Sequence, residues 1–331
     1  MSLAVKRFNV VRIILNKSIF DENIIHIILK YYWQLLDKCK VLLDWIDIDK
    51  LEWDSICLNP NAIDLLKNNI DKINWSAVCC NPNAINLIET ELKEDELDED
   101  EYYNFWFGLT QNPNAIEILL KNTKKIHWSV LARNSNAIKI LEEKLEQYKF
   151  VMQYSIIDWS MLSENPNTIK ILENNIDVID WSILSTNPNA IELLENNIDI
   201  IDWIFLSGNP NAIHLLENNL DKINWQYLSG NPNAIHLLES NLDKINWYEL
   251  STNENAIHLL KNNLDKVNWS MLCINSNAIE LLTENQDKIN WAFLSLNPNA
   301  VDLLQNNQDK IDRDKFSLNP SIFKDEPMPT I

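Results

Sequence analysis

The chain repeats itself, and the repeat limits what it can fold into more than any other feature. Asn-Pro-Asn-Ala, or a close variant, begins at positions 59, 81, 112, 134, 165, 187, 209, 231, 253, 275 and 297, and a degenerate Asn-Pro-Ser begins at 319. The period is 22 residues, broken by two insertions of nine. A tryptophan stands six residues ahead of the asparagine, at 53, 75, 106, 128, 159, 181, 203, 225, 247, 269 and 291. Self-similarity at a fixed short period means a stack of like units, each too small to bury its own apolar face.

One unit, residues 209–230, shows the local pattern. Asn209 is a natural helix N-cap, and Pro210 suits the first helical position, where its missing N–H costs nothing. Ala212, Ile213, Leu215, Leu216 and Leu220 supply an apolar stripe at helical spacing. Asn218 and Asn219 are expected to end the helix in the left-handed conformation that asparagine tolerates. Asn224, an Asp in several other units, caps a second, shorter helix carrying Trp225, Leu228 and Ser229. The pattern therefore predicts an all-α fold, an elongated solenoid of about twelve two-helix units with no β-sheet. At roughly 8–10 Å per step it would span on the order of 100 Å. Residues 1–48 read as an N-terminal helical cap, 49–318 as the repeats and 319–331 as a tail. Insertions fall near 90–101 and 143–155. Arg313 in the tryptophan position reads as the decay expected at a terminal unit. The tryptophans, in phase with leucine, are expected in a buried ladder, where truncating one would cost about 3–5 kcal/mol.

Composition excludes more than it selects. Three glycines, Gly108, Gly208 and Gly230, are too few and too scattered for a phosphate-cradling loop. The first 58 residues are neutral, so the net charge of −20 lies on the repeats. That argues against a nucleic-acid partner. No apolar run is long enough to span a membrane. Five cysteines, Cys39, Cys57, Cys79, Cys80 and Cys273, show no zinc spacing and read as reduced thiols. Cys57 and Cys79, in equivalent positions of adjacent units, should lie too far apart for a disulfide, and Cys80 should be the more exposed. His214, His236 and His258 recur in one phase. Their separation forbids a shared metal ion, and their position holds charged residues in other units, so they read as a solvated face. The insertion Glu91–Glu101 carries eight acids and one lysine and reads as a solvated loop. The second insertion, around Glu146 to Tyr154, reads as a helix extension. No acid/base pair or nucleophile constellation emerges, so neither an enzyme nor a cofactor is called for.

The NPNAI signature with its tryptophan resembles 22-residue tandem-repeat proteins of mimivirus-like giant viruses, over about residues 49–318. The alternation of helices also looks like leucine-rich-variant repeats. The resemblance implies an α-solenoid and places the chain in the host cytoplasm or a virion. Residues 19–33, IFDENIIHIILKYYW, resemble the opening of an F-box without its Leu-Pro. That resemblance implies an adaptor for a host ubiquitin ligase.

The residues two and five after each tryptophan, such as Met271 and Ile274, vary yet are seldom charged. Aromatic and sulfur-containing side chains there are typical interface anchors. Phe205, Tyr227, Met271 and Phe293 are therefore the candidate partner-binding residues. The function expected is that of a protein–protein interaction scaffold.

Overall fold

The computed structural model describes residues 38–147 and 157–327. It is an all-α repeat solenoid, but most units hold three helical segments rather than two. In the unit at 209–230 these are a helix at Ile213–Glu217, a 3-10 turn at Leu220–Lys222 and a helix at Trp225–Gly230. The leucine helix is no longer than the tryptophan helix. Leu216, Leu228 and Ala212 are fully buried between units, and Ile223 closes the side of the core.

The asparagines work differently from the sequence reading. Asn209 is not a helix N-cap. Its Oδ1 accepts the Asn211 N–H at 3.0 Å, and its carbonyl accepts the Ala212 N–H, so Asn-Pro-Asn is a turn and the helix starts after it. Asn218 and Asn219 do not adopt the left-handed conformation. They sit at φ −84° and −140° and stop the helix with their side-chain amides, which donate to the carbonyls of His214 and Leu215. Asn224 is a cap as expected: its Oδ1 accepts the Tyr227 N–H.

The turn asparagine has a second task. Its side-chain NH2 donates to two carbonyls of the preceding unit. Asn209 donates to Ser185 and Asn187, and Asn231 donates to Ser207 and Asn209, at 3.0–3.1 Å. The same pair of bonds is made by Asn81, Asn112, Asn134, Asn165, Asn187, Asn253, Asn275, Asn297 and Asn319. The second turn asparagine adds a rung, Asn233 donating to the Pro210 carbonyl. The serine four residues after tryptophan adds another. Ser229 Oγ donates to the Trp225 carbonyl and accepts the Asn246 N–H of the next unit.

This ladder has no free end. Asn59 of the first unit donates to Ser317 and Asn319 of the last, at 2.9 and 3.0 Å. Asn61 donates to the Pro320 carbonyl, and Ser317 Oγ accepts the Glu52 N–H. All three rungs at this seam match those between sequence neighbours. The solenoid is thus a closed ring, not an elongated array. Twelve units close a circle when each turns by about 30°. The degenerate motif at 319 is a working turn that keeps the one asparagine the ladder needs.

A small clasp lies across the seam. Strand β1 (Lys38–Leu42) pairs antiparallel with β2 (Phe323–Pro327), Lys40 opposite Asp325. The Lys40–Asp325 ion pair at 2.8 Å, the Lys324–Asp44 pair at 2.7 Å and the Trp45–Phe316 ring contact reinforce it. The expectations of no sheet, a helical cap reaching residue 48 and a collapsed tail are corrected accordingly. Residues 1–37, including the F-box-like segment, lie outside the described residues.

The acidic insertion is ordered, not a loop. After a 3-10 turn at Glu94–Glu96, a helix runs over Glu99–Gln111 with a reciprocal Asp98/Glu101 capping box. Glu99, Asp100 and Glu101 occupy its first turn, where the helix dipole favours negative charge. The second insertion extends the leucine helix to Ile138–Gln147; residues 148–156 lie outside the described residues.

Candidate functional site

Consecutive tryptophan helices pack directly side by side, whereas the leucine helices are bridged mainly by long side chains. In a closed ring the more closely spaced row is the inner one, so the tryptophan helices line the channel. Twelve helices spaced ~8–10 Å apart close on a radius of roughly 15–20 Å, leaving a channel on the order of 20 Å across after subtracting the helix thickness.

The channel wall is built from the residues one, two and five after the tryptophan. The inward leucine and the serine four after tryptophan are buried, as Leu228 and Ser229 show. The remaining face of each short helix has only the channel before it. Phe205 and Tyr227 meet across a unit boundary with ring centroids 5.6 Å apart, beside Gly208. Tyr227 is 41% exposed, while Phe205, Met271 and Phe293 are half-buried, so all four candidates lie on the wall. Ile274, five after its tryptophan and 39% exposed, lies on the same wall; sequence reasoning missed the position one after tryptophan, where Ile204 and Tyr248 are each 49% exposed. Together they form an apolar arc over the units from Trp181 to Trp291. Charges on the wall are few: Asp54, Arg133, Glu164, Glu249, Asp314 and Lys315. In a chain of net charge −20, the charge is carried mainly elsewhere.

The tryptophans are neither a buried ladder nor an open stacking platform. Trp106 and Trp159 are buried, and both leave the indole N–H without a partner. The others described are half-buried against the core. Most are roofed by the 3-10 lysine of the next unit: Lys222 stands 4.3 Å from the Trp203 ring centroid, Lys244 4.5 Å from Trp225 and Lys310 4.4 Å from Trp291. Val178 and Ile200 hold the lysine position after Trp159 and Trp181.

On the outer rim, His214, His236 and His258 pair with Glu195, Glu217 and Glu239 of the preceding unit at 2.6–2.8 Å. The histidine face is exposed, as read from the sequence, but it is a stitched seam and not a row of free side chains. Among the described residues no group of three or more metal-ligating side chains converges. No helix among them is long and apolar enough to cross a membrane.

The cysteines carry no disulfide. Cys57 and Cys273 stand in the serine position, and burial raises both thiols above their ordinary range. Cys79 and Cys80 are a pair, their sulfurs 4.0 Å apart, with Cys79 buried and Cys80 exposed. The hydrogen bond from Cys79 lowers Cys80 to about 7, and the same bond holds Cys79 far above the ordinary thiol range.

Known protein families, curated proteins and solved structures offer no match to this chain.

Proposed function

We propose that the chain is a non-enzymatic ring scaffold that holds a protein partner against the apolar arc of its inner wall. The supporting observation is that arc itself, where Ile204, Tyr227, Tyr248 and Ile274 stay exposed and Glu249 is the single charge among its wall positions. Exposed aromatic clusters of this kind are what interfaces use as anchors. An α-helix with side chains is about 10–12 Å across, so a channel on the order of 20 Å admits one or two helices of a partner. The acidic surface disfavours a polyanionic occupant.

The test pairs two variants. Phe205→Ser/Tyr227→Ser removes a contact on the wall, and His214→Ala/His236→Ala alters only the outer rim. Capture experiments should lose a specific partner with the first and keep it with the second, both melting close to the parent. A large fall in melting temperature for the wall variant would mean that these side chains serve the ring alone. The resemblance to giant-virus repeats would place such a ring in infected host cytoplasm or in a virion. The alternative, a ubiquitin-ligase adaptor, rests on residues 19–33. It requires ligase subunits in the same capture, lost when those residues are removed.

A further inference from the structure

One place on the channel wall departs from the pattern of its neighbours. Where most units put a serine and a variable residue, the second unit puts two adjacent thiols, Cys79 and Cys80. Where most units present Val, Ile, Phe, Tyr or Met, the next unit has Gly108. The three changes go together. A β-carbon on Gly108 would lie 2.5 Å from the Cys79 sulfur and 2.8 Å from that of Cys80, so both thiols occupy the volume that a side chain would need.

The serine's ordinary work is absent here for a structural reason. That hydroxyl accepts the N–H at the start of the next tryptophan helix, as Ser229 does for Asn246. In the third unit the helix starts at Glu99, well before Trp106, so no such N–H stands at residue 105 to be capped. Cys79 releases its thiol from the ladder, while its carbonyl still accepts from Asn112. Its thiol turns to the Ser76 carbonyl at 3.0 Å and to Cys80 at 4.0 Å. The result is two sulfurs on one helix end, the outer one open to the channel and the inner one directly behind it.

We propose that Cys79 and Cys80 form a two-sulfur binding site for a soft monovalent ion of the Cu(I) class, opening on the ring's inner wall. Thiolates select soft ions, and Cu(I) is satisfied by two or three sulfurs, so the lack of a convergent third side chain does not count against it. With metal–sulfur bonds of ~2.3 Å, sulfurs 4.0 Å apart subtend about 120° at the ion, a bent or trigonal geometry with a position left open toward the channel. Binding balances as two thiols plus Cu(I) giving a bis-thiolate complex of charge −1 and two released protons, with no redox step. Cys80, the exposed thiol of the two, meets the ion first. Cys79, directly behind it, follows, each thiol releasing its proton as its sulfur binds.

The experiment is an anaerobic Cu(I) titration of the full-length reduced protein against a chromophoric Cu(I) chelator. Cys79→Ser and Cys80→Ser are measured beside the parent. Cys79→Ser restores the residue most units carry, so it should fold and melt like the parent. The expected result is one Cu(I) per chain held against the chelator by the parent and lost in either variant, with binding tighter as pH rises. A parent that yields all its Cu(I) to the chelator would overturn the proposal. So would either single variant retaining the full stoichiometry, since the ion would then sit on Cys39 or elsewhere.

Discussion

Replacing Asn231 by Asp tests the ladder with an almost isosteric change. The amide NH2 donates to the carbonyls of Ser207 and Asn209 at 3.1 and 3.0 Å, while Oδ1 accepts the Asn233 N–H at 3.0 Å. Asn231 is essentially buried. A carboxylate keeps the acceptor and loses both donors. The Ser207 carbonyl then lacks its partner and the Asn209 carbonyl keeps only the Ala212 N–H, at a cost of about 1–3 kcal/mol. A buried negative charge also faces their oxygens, at a further cost of several kcal/mol unless the group takes up a proton. The folded protein therefore prefers the protonated acid, which still donates one bond. The net loss at neutral pH should be roughly 4–6 kcal/mol. The variant's carboxyl pKa is raised in the folded state, so the native form binds the extra proton. The defect is therefore largest above that raised pKa and shrinks as pH falls toward the unfolded carboxyl range. Denaturant melts of parent and variant at pH 7 and pH 5 measure this. Equal stability at pH 7, or a defect that does not change with pH, would refute the view that asparagine is required as donor and acceptor at once.

Further outcomes follow from the same contacts. Trp203→Ala should cost about 2–3 kcal/mol, below the range for a fully buried tryptophan because the ring is half-buried. Lys222→Ala should cost only about 0.5–1 kcal/mol, the worth of its contact with the Trp203 face; thermal melts give both. Removing residues 323–331 deletes β2 and its ion pairs with Lys40 and Asp44. Amide exchange should then rise first at the Asn59 and Glu52 side of the seam, and an even rise around the ring would deny the clasp its role.

The unit was legible and the ring was not. Period, turn, cap and core leucines are local properties, and Asn224, Leu216 and Leu228 do what their spacing implies. Closure depends on the rotation from one unit to the next, which no periodicity encodes. Degeneracy at Arg313 and Asn319 looked like decay at an open end, yet the seam needs only Asn319, Ser317 and the Pro320 carbonyl there. One signal was present. The proline gives way to Ser135, Glu254 and Ser276, while the preceding asparagine never becomes Ser, Thr or Asp. A cap tolerates those exchanges, but a residue that must both donate and accept does not. The wall was half legible. The second and fifth residues after tryptophan were singled out, but Ile204 and Tyr248 stayed hidden until the channel showed which face was left open.

Ring closure is tested most directly by a distance across the seam. Asp49 and Asp309 are exposed in the 3-10 turns of the first and last units, and Asp287 holds the same position one unit before Asp309. Spin labels on Asp49→Cys/Asp309→Cys and on Asp287→Cys/Asp309→Cys, in a chain freed of its other accessible thiols, can be compared by pulsed dipolar spectroscopy. A closed ring gives both pairs the same short neighbour distance. An open solenoid would move the Asp49 pair to on the order of 100 Å, beyond the range of the measurement, while leaving the Asp287 pair unchanged.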